Sequence, residues 1–218
     1  MKTKILATAV AALFSTALFA QKMTYDAGRT TFGIRGGVNF NTITGEDANN
    51  NKFDNNIKTG FHVGVNAEVP VGTGFYVQPG VLYSQKGAEF QNDQGHVKLT
   101  YIEVPVNLVY KPILGTGRML LGFGPYVGFG LGGKVENSAG TETDVEFTKN
   151  YDATVAKPQY KGIDAGANFL AGYELSNNVS FQINAQLGLA QLTPGNNGED
   201  NPVKTKNTGF GVSVGYRF

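Results

Sequence analysis

Beginning at Phe32, apolar residues recur at every second position, the period of a strand whose two faces meet different surroundings. The first run places Phe32, Ile34, Gly36, Val38 and Phe40 on one face, and Gly33, Arg35, Gly37, Asn39 and Asn41 on the other. A second run sets Phe61, Val63, Val65, Ala67 and Val69 against Gly60, His62, Gly64, Asn66 and Glu68. The same alternation returns in residues 75–86, 97–110, 121–131, 162–175, 179–189 and 208–218, which predicts eight strands. Within 97–110 the phase slips between Leu99 and Ile102, where a β-bulge is expected.

The connections alternate in length. Residues 42–58, 87–96, 133–161 and 193–207 form the longer ones, while 70–74, 112–118 and 176–178 are short. In an antiparallel up-and-down array the long loops then gather at one end and the short turns at the other. Transmembrane barrels segregate their connections in this way, with short turns in the periplasm and long loops outside. The expected fold is therefore all-β, an eight-stranded antiparallel up-and-down transmembrane β-barrel with both termini in the periplasm.

The composition of the two faces supports that reading. Of 218 residues 30 are glycine, and charged residues make up only 16%, against about 25% in an average soluble domain. The polar face is largely glycine, which suits the cramped interior of an eight-stranded barrel better than a solvated exterior. The apolar face carries almost no charge and must meet lipid or another apolar layer. Its aromatics fall into two rims. Phe32, Phe75, Tyr110, Tyr173, Phe181, Tyr216 and Phe218 lie near the short-turn end, and Phe40, Phe61, Tyr83, Phe129 and Phe210 near the long-loop end. Bilayers select such girdles at the headgroup level.

Residues 1–20 read as a signal peptide, with a basic start at Lys2 and Lys4 and an apolar run from Ile5 to Phe19. Cleavage is expected after Ala17 or Ala20. Residues 21–30 would form a short periplasmic segment and 31–218 the barrel, in the outer membrane of a Gram-negative bacterium. Eighteen basic and 17 acidic residues give a net charge of +1, which becomes −1 when Lys2 and Lys4 leave with the leader. A near-neutral chain does not have the basic footprint of a nucleic-acid binder. With no cysteine there is no disulfide, thiolate metal site or thiol nucleophile.

The polar face carries the candidate functional residues. Counting along the strands places Arg35, Glu68, Glu174 and Arg217 in a lower layer, and Lys86, Glu103, Asp164 and His62 in an upper one. An unpaired charge in a narrow lumen is costly, so two ion-pair networks are expected, with Arg35 paired to Glu68 on the adjacent strand and plugging the periplasmic end.

Three stretches, Tyr101-Ile102-Glu103-Val104-Pro105-Val106, Gly122-Phe123-Gly124-Pro125-Tyr126-Val127-Gly128 and Gly172-Tyr173-Glu174-Leu175, resemble the outer-membrane β-barrel domain family of Bacteroidota often called PorT-like. The final strand, with Tyr216 and the terminal Phe218, is similar to the C-terminal signal that barrel-insertion machinery reads. The resemblance implies location, fold and an assembly role for Phe218 and Tyr216. It does not carry over a role in protein secretion.

Catalytic motifs are weak. Gly128, Gly130 and Gly133 have dinucleotide-site spacing, but no helix pattern follows to receive a pyrophosphate. His62 and His96 are the only histidines, and no nucleophile elbow accompanies them. Acidic residues at Glu46-Asp47, Asp54 and Glu199-Asp200 lack calcium-loop spacing. No enzyme, cofactor or metal is expected. The favoured reading is a rigid membrane stand whose external loops meet a surface protein or lipopolysaccharide, with a small-solute pore as the alternative. The expected partners are outer-membrane lipid and the insertion machinery, and the barrel is expected to be monomeric.

Overall fold

The computed structural model describes residues 28–46, 52–53, 55–91, 94–195 and 203–218. The leader, most of the 21–30 segment, and Asp47, Asp54, Glu199 and Asp200 lie outside the described residues. Eight long strands form the barrel: β1 (Thr31–Glu46), β2 (Asn56–Gly72), β3 (Phe75–Glu89), β4 (Gly95–Tyr110), β6 (Gly117–Asn137), β10 (Ile163–Glu174), β11 (Val179–Gly188) and β12 (Lys204–Arg217). Four short strands decorate its ends: β5 (Ile113–Leu114), β7 (Glu142–Asp144), β8 (Glu146–Phe147) and β9 (Gln159–Tyr160).

Each long strand pairs antiparallel with the next, β6 pairs with β10, and β12 returns to β1, so the ring has no open edge. The register gives the stagger. Walking from Val69 through Val77, Leu108, Phe123, Phe169, Ala185, Phe210 and Phe40 returns to β2 at Thr59, ten residues from the start. With about 3.3 Å per residue and about 4.8 Å between strands, that stagger tilts the strands by about 40°.

Eight strands at this tilt enclose a narrow lumen. At Gly64 and Gly124 a Cβ would run into the carbonyl oxygens of Val81 and Val106 on neighbouring strands, so only glycine fits there. The short turns are local. Between β10 and β11 the chain reverses with Asn178 at φ 65°, while the Asn177 side chain accepts from the Val179 amide at 3.3 Å.

The packing is inverted relative to a soluble barrel. Outward residues such as Phe123, Ile183 and Val214 are half exposed or more, and inward ones such as Asn107, Asn168 and Glu103 are buried. Only a hydrocarbon surrounding satisfies so continuous an apolar belt. Phe32 and Phe40, Phe75 and Tyr83, and Phe210 and Phe218 are each eight residues apart on one face. Eight residues span about 26 Å of strand and, at this tilt, about 20 Å along the barrel axis, near the usual band of about 25 Å. Cross-strand stacking fixes both rims, with Phe40 against Phe210 at 5.0 Å and Phe75 against Tyr110 at 4.7 Å.

Two sequence expectations change. β4 keeps one phase throughout: Val97, Leu99, Tyr101, Glu103, Asn107 and Val109 are all buried on the inside. The apparent slip marks a change in what fills the interior, from polar groups to an apolar core. The bulge lies on the facing strand, where Thr100 pairs with Gly132 and Tyr101 with Gly130, leaving Leu131 as the extra residue.

The strands also run well into the expected long loops, β1 to Glu46 and β6 to Asn137. Above the upper rim they enclose a core of Ile43, Ala88, Val97, Leu99, Tyr101 and Leu192, against which Phe90, Val145, Phe147 and Tyr160 pack. The longest loop folds over this core: β7 adds to β6, and β8 pairs parallel with β9.

Because the chain contains no cysteine, single introduced thiols report topology directly. A membrane-impermeant maleimide applied to intact cells should label Ser138→Cys and spare Asn177→Cys; the opposite pattern would invert the barrel. Ile183, 60% exposed on the outward face of β11, tests the belt. Ile183→Arg should cost about 2–4 kcal/mol in unfolding from lipid vesicles, and parental stability would show that this face does not meet hydrocarbon.

Candidate functional site in the barrel lumen

The inward positions of the tilted strands bring polar side chains from all round the ring onto the axis, where they sort into two ionic clusters. At the short-turn end the centre is Lys111, just past the end of β4. Its Nζ donates to Glu68 Oε2 at 2.9 Å and to the two Glu174 oxygens at 2.9 and 2.8 Å. Arg217 completes the group, with Nη2 at 3.2 Å from Glu68 Oε1 and Nε at 3.6 Å from Glu174 Oε2. Gln78 donates to Glu68 at 3.2 Å, and the Lys111 ammonium lies 5.4 Å from the centre of the Tyr76 ring. This cluster roofs a cavity of about 540 Å³ that opens at the short-turn end beside Arg29 and Arg118.

Nearer the long-loop end, Lys86 Nζ sits 2.7 Å from Glu103 and 2.9 Å from Asp164. Asn207 donates to Asp164 at 3.0 Å, Gln186 donates to Glu103 at 3.0 Å, and the Tyr126 ring lies 4.3 Å from the ammonium. Between the clusters His62 Nδ1 meets Asn39 Oδ1 at 2.7 Å, and Asn168 donates to Asn107 at 2.9 Å. Arg35 is buried at this level.

Three buried cations, Arg35, Lys86 and Lys111, and the partly buried Arg217 thus face four buried carboxylates, Glu68, Glu103, Asp164 and Glu174. The lumen is electrically balanced, as a poorly solvated interior requires.

The expected pairing of Arg35 with Glu68 does not form. Arg35 stands opposite Gly64 and Glu68 opposite Thr31, so the two are four residues apart in register, about 13 Å along the strand. Glu68, Glu174 and Arg217 are together in the lower cluster, and Lys86, Glu103 and Asp164 in the upper one, while Arg35 and His62 lie between them. Lys111 was hidden from sequence reading because Pro112 suggests a loop, yet it continues the inward phase of Asn107 and Val109. Tyr126 and Asn207 also belong to the upper cluster, on the inward phases of β6 and β12.

Beyond the upper cluster lies the apolar core. Phe147 lies 6.1 Å from Tyr101, and the Leu192 carbonyl accepts from the Lys161 amide at 2.7 Å, tying two loops together over the mouth. Burial pushes the Tyr160 phenol up from its ordinary value. In the same loop Asp152 accepts from the Thr154 hydroxyl at 2.7 Å and amide at 2.9 Å, which hold its carboxyl below the usual range. At the other end the Phe218 amide donates to the Phe32 carbonyl at 2.8 Å, and its ring stands edge-on to Tyr216 at 5.4 Å.

Residues 19–193 match the family model described as outer membrane protein beta-barrel domain. The chain belongs to that family. It is an integral outer-membrane barrel, and its closing strand β12 lies beyond the matched stretch. No curated protein matches the chain. Among solved structures it is similar to Ail, the attachment invasion locus protein of Yersinia pestis, in complex with the heparin analogue sucrose octasulfate (14% identity, TM-score 0.44, 88% of this chain and 100% of that one). It is also similar to a major outer membrane protein from Thermus thermophilus, with 14% identity, a TM-score of 0.43 and the same coverage.

Removing Lys111 tests the lower cluster. Lys111→Met should cost about 3–5 kcal/mol in unfolding from vesicles, because two buried carboxylates are left with one arginine. Adding Glu174→Gln should recover part of that loss by rebalancing charge. Small, additive losses would mean that the groups are separately hydrated.

Proposed function

We propose that the protein is a closed, non-catalytic stand that holds a folded external surface above the outer membrane. The observation that carries this reading is the filled lumen: two ionic clusters in series, with Arg35 between them bringing the charges to four against four, topped by the apolar core around Leu99, Tyr101 and Leu192. Both described histidines have a side-chain partner. His62 is engaged by Asn39, and His96 faces Glu136 at 3.7 Å. The folded loop with β7, β8 and β9 supplies a shaped face for a surface protein or lipopolysaccharide. Within the family, the PorT-like barrels of Bacteroidota are the branch that the quoted motifs resemble. The leader would bring the chain to the insertion machinery, which would read Phe218.

Planar-bilayer recording decides between stand and pore. The purified barrel should insert without stepwise conductance. Reproducible discrete steps in the parent would overturn the stand and establish the pore.

A further inference from the structure

Just above the upper aromatic rim, on the outer wall where β3, β4 and β6 meet, lies a cavity of about 650 Å³ lined by Lys98, Lys134, Lys157 and Asp144, with Tyr83 and Leu131 among its apolar walls. The register places it in depth. Tyr83, Ile102 and Phe129 form one cross-strand row in the rim. Four residues further up β4, Lys98 stands in the row Gly87–Lys98–Lys134–Asp144 on the same outward face. Four residues are about 13 Å of strand, hence about 10 Å along the axis at the barrel's tilt, within reach of the headgroup layer for a lysine side chain.

Two lysines directly opposite each other on neighbouring strands repel. Lys134 is relieved by an ion pair with Glu142 and by Asp144 beside it. Lys98 and Lys157 have no ion pair among the described residues. Gly132, in the same lining, faces open space: apart from its chain neighbours, nothing lies within 4 Å of where a Cβ would stand. The lower edge of the cavity is apolar and continuous with the lipid-facing belt, with Leu131 54% exposed.

We propose that this cavity binds the phosphorylated headgroup of an outer-leaflet glycolipid, with Lys98 and Lys157 holding the phosphate and Leu131 carrying the start of an acyl chain. The lipid is the favoured source of the phosphate because cationic and apolar walls meet at the membrane surface, where a headgroup and its chains present the matching chemistry together. The inference rests on the external placement of the long loops.

The test is native mass spectrometry of the full barrel in detergent with diphosphorylated lipid A, the same lipid with its phosphates removed, or inorganic phosphate as competitor. The parent should retain one diphosphorylated lipid and bind the dephosphorylated form at least tenfold more weakly. Lys98→Gln with Lys157→Gln should lose at least tenfold. Gly132→Phe, which fills the cavity but keeps every charge, should lose binding as well, with folding of each variant checked by circular dichroism. Retention by both variants, or full displacement by an equal concentration of inorganic phosphate, would overturn the site. Binding in detergent does not depend on orientation, so a failure of topology in the maleimide experiment would be distinguishable from a failure here.

Discussion

Inside a bilayer no water is available to satisfy backbone N–H and C=O groups, and a sheet crossing it must therefore close on itself. That closure governs the rest of this molecule. Eight strands with a ten-residue stagger leave a narrow interior, in which glycines admit close neighbouring backbones and the remaining inward side chains meet on the axis. The outward face has one demand only, to be apolar, and β-branched and aromatic residues meet it on all eight strands.

The ionic clusters follow from the narrow lumen. Long charged side chains reach across to strands that are not their neighbours: Lys111, following β4, holds Glu68 of β2 and Glu174 of β10. Such bridges join distant parts of the ring without adding net charge. Their value is in cross-bracing more than in stability, since desolvation offsets much of the Coulomb attraction.

Above the membrane the physical problem changes. The strands continue into water, where an apolar interior becomes the favourable one, and the inward phase of β4 switches from Glu103 and Asn107 to Tyr101, Leu99 and Val97. The same barrel thus has a polar core at membrane depth and an apolar core outside it. The long loops take their shape from the second core, through Phe147, Tyr160 and Leu192.

The period-two alternation, the sorting of loop lengths and the aromatic rims were legible in the chain because pleat and turn are local properties. From them the sequence by itself determined the class of fold, the lipid-facing side and the identity of most lumen charges. Which charges meet was decided only by the tertiary structure. Arg35 and Glu68 look like neighbours on adjacent strands, yet stagger separates them, and Lys111 reaches across 43 and 63 residues of chain to its two partners. The apolar cap was likewise hidden, since Val97 and Leu99 read as lipid-facing until their phase was fixed by pairing with β3 and β6. Pairing register between strands is a property of the closed ring, and the alternation along any one strand is blind to it.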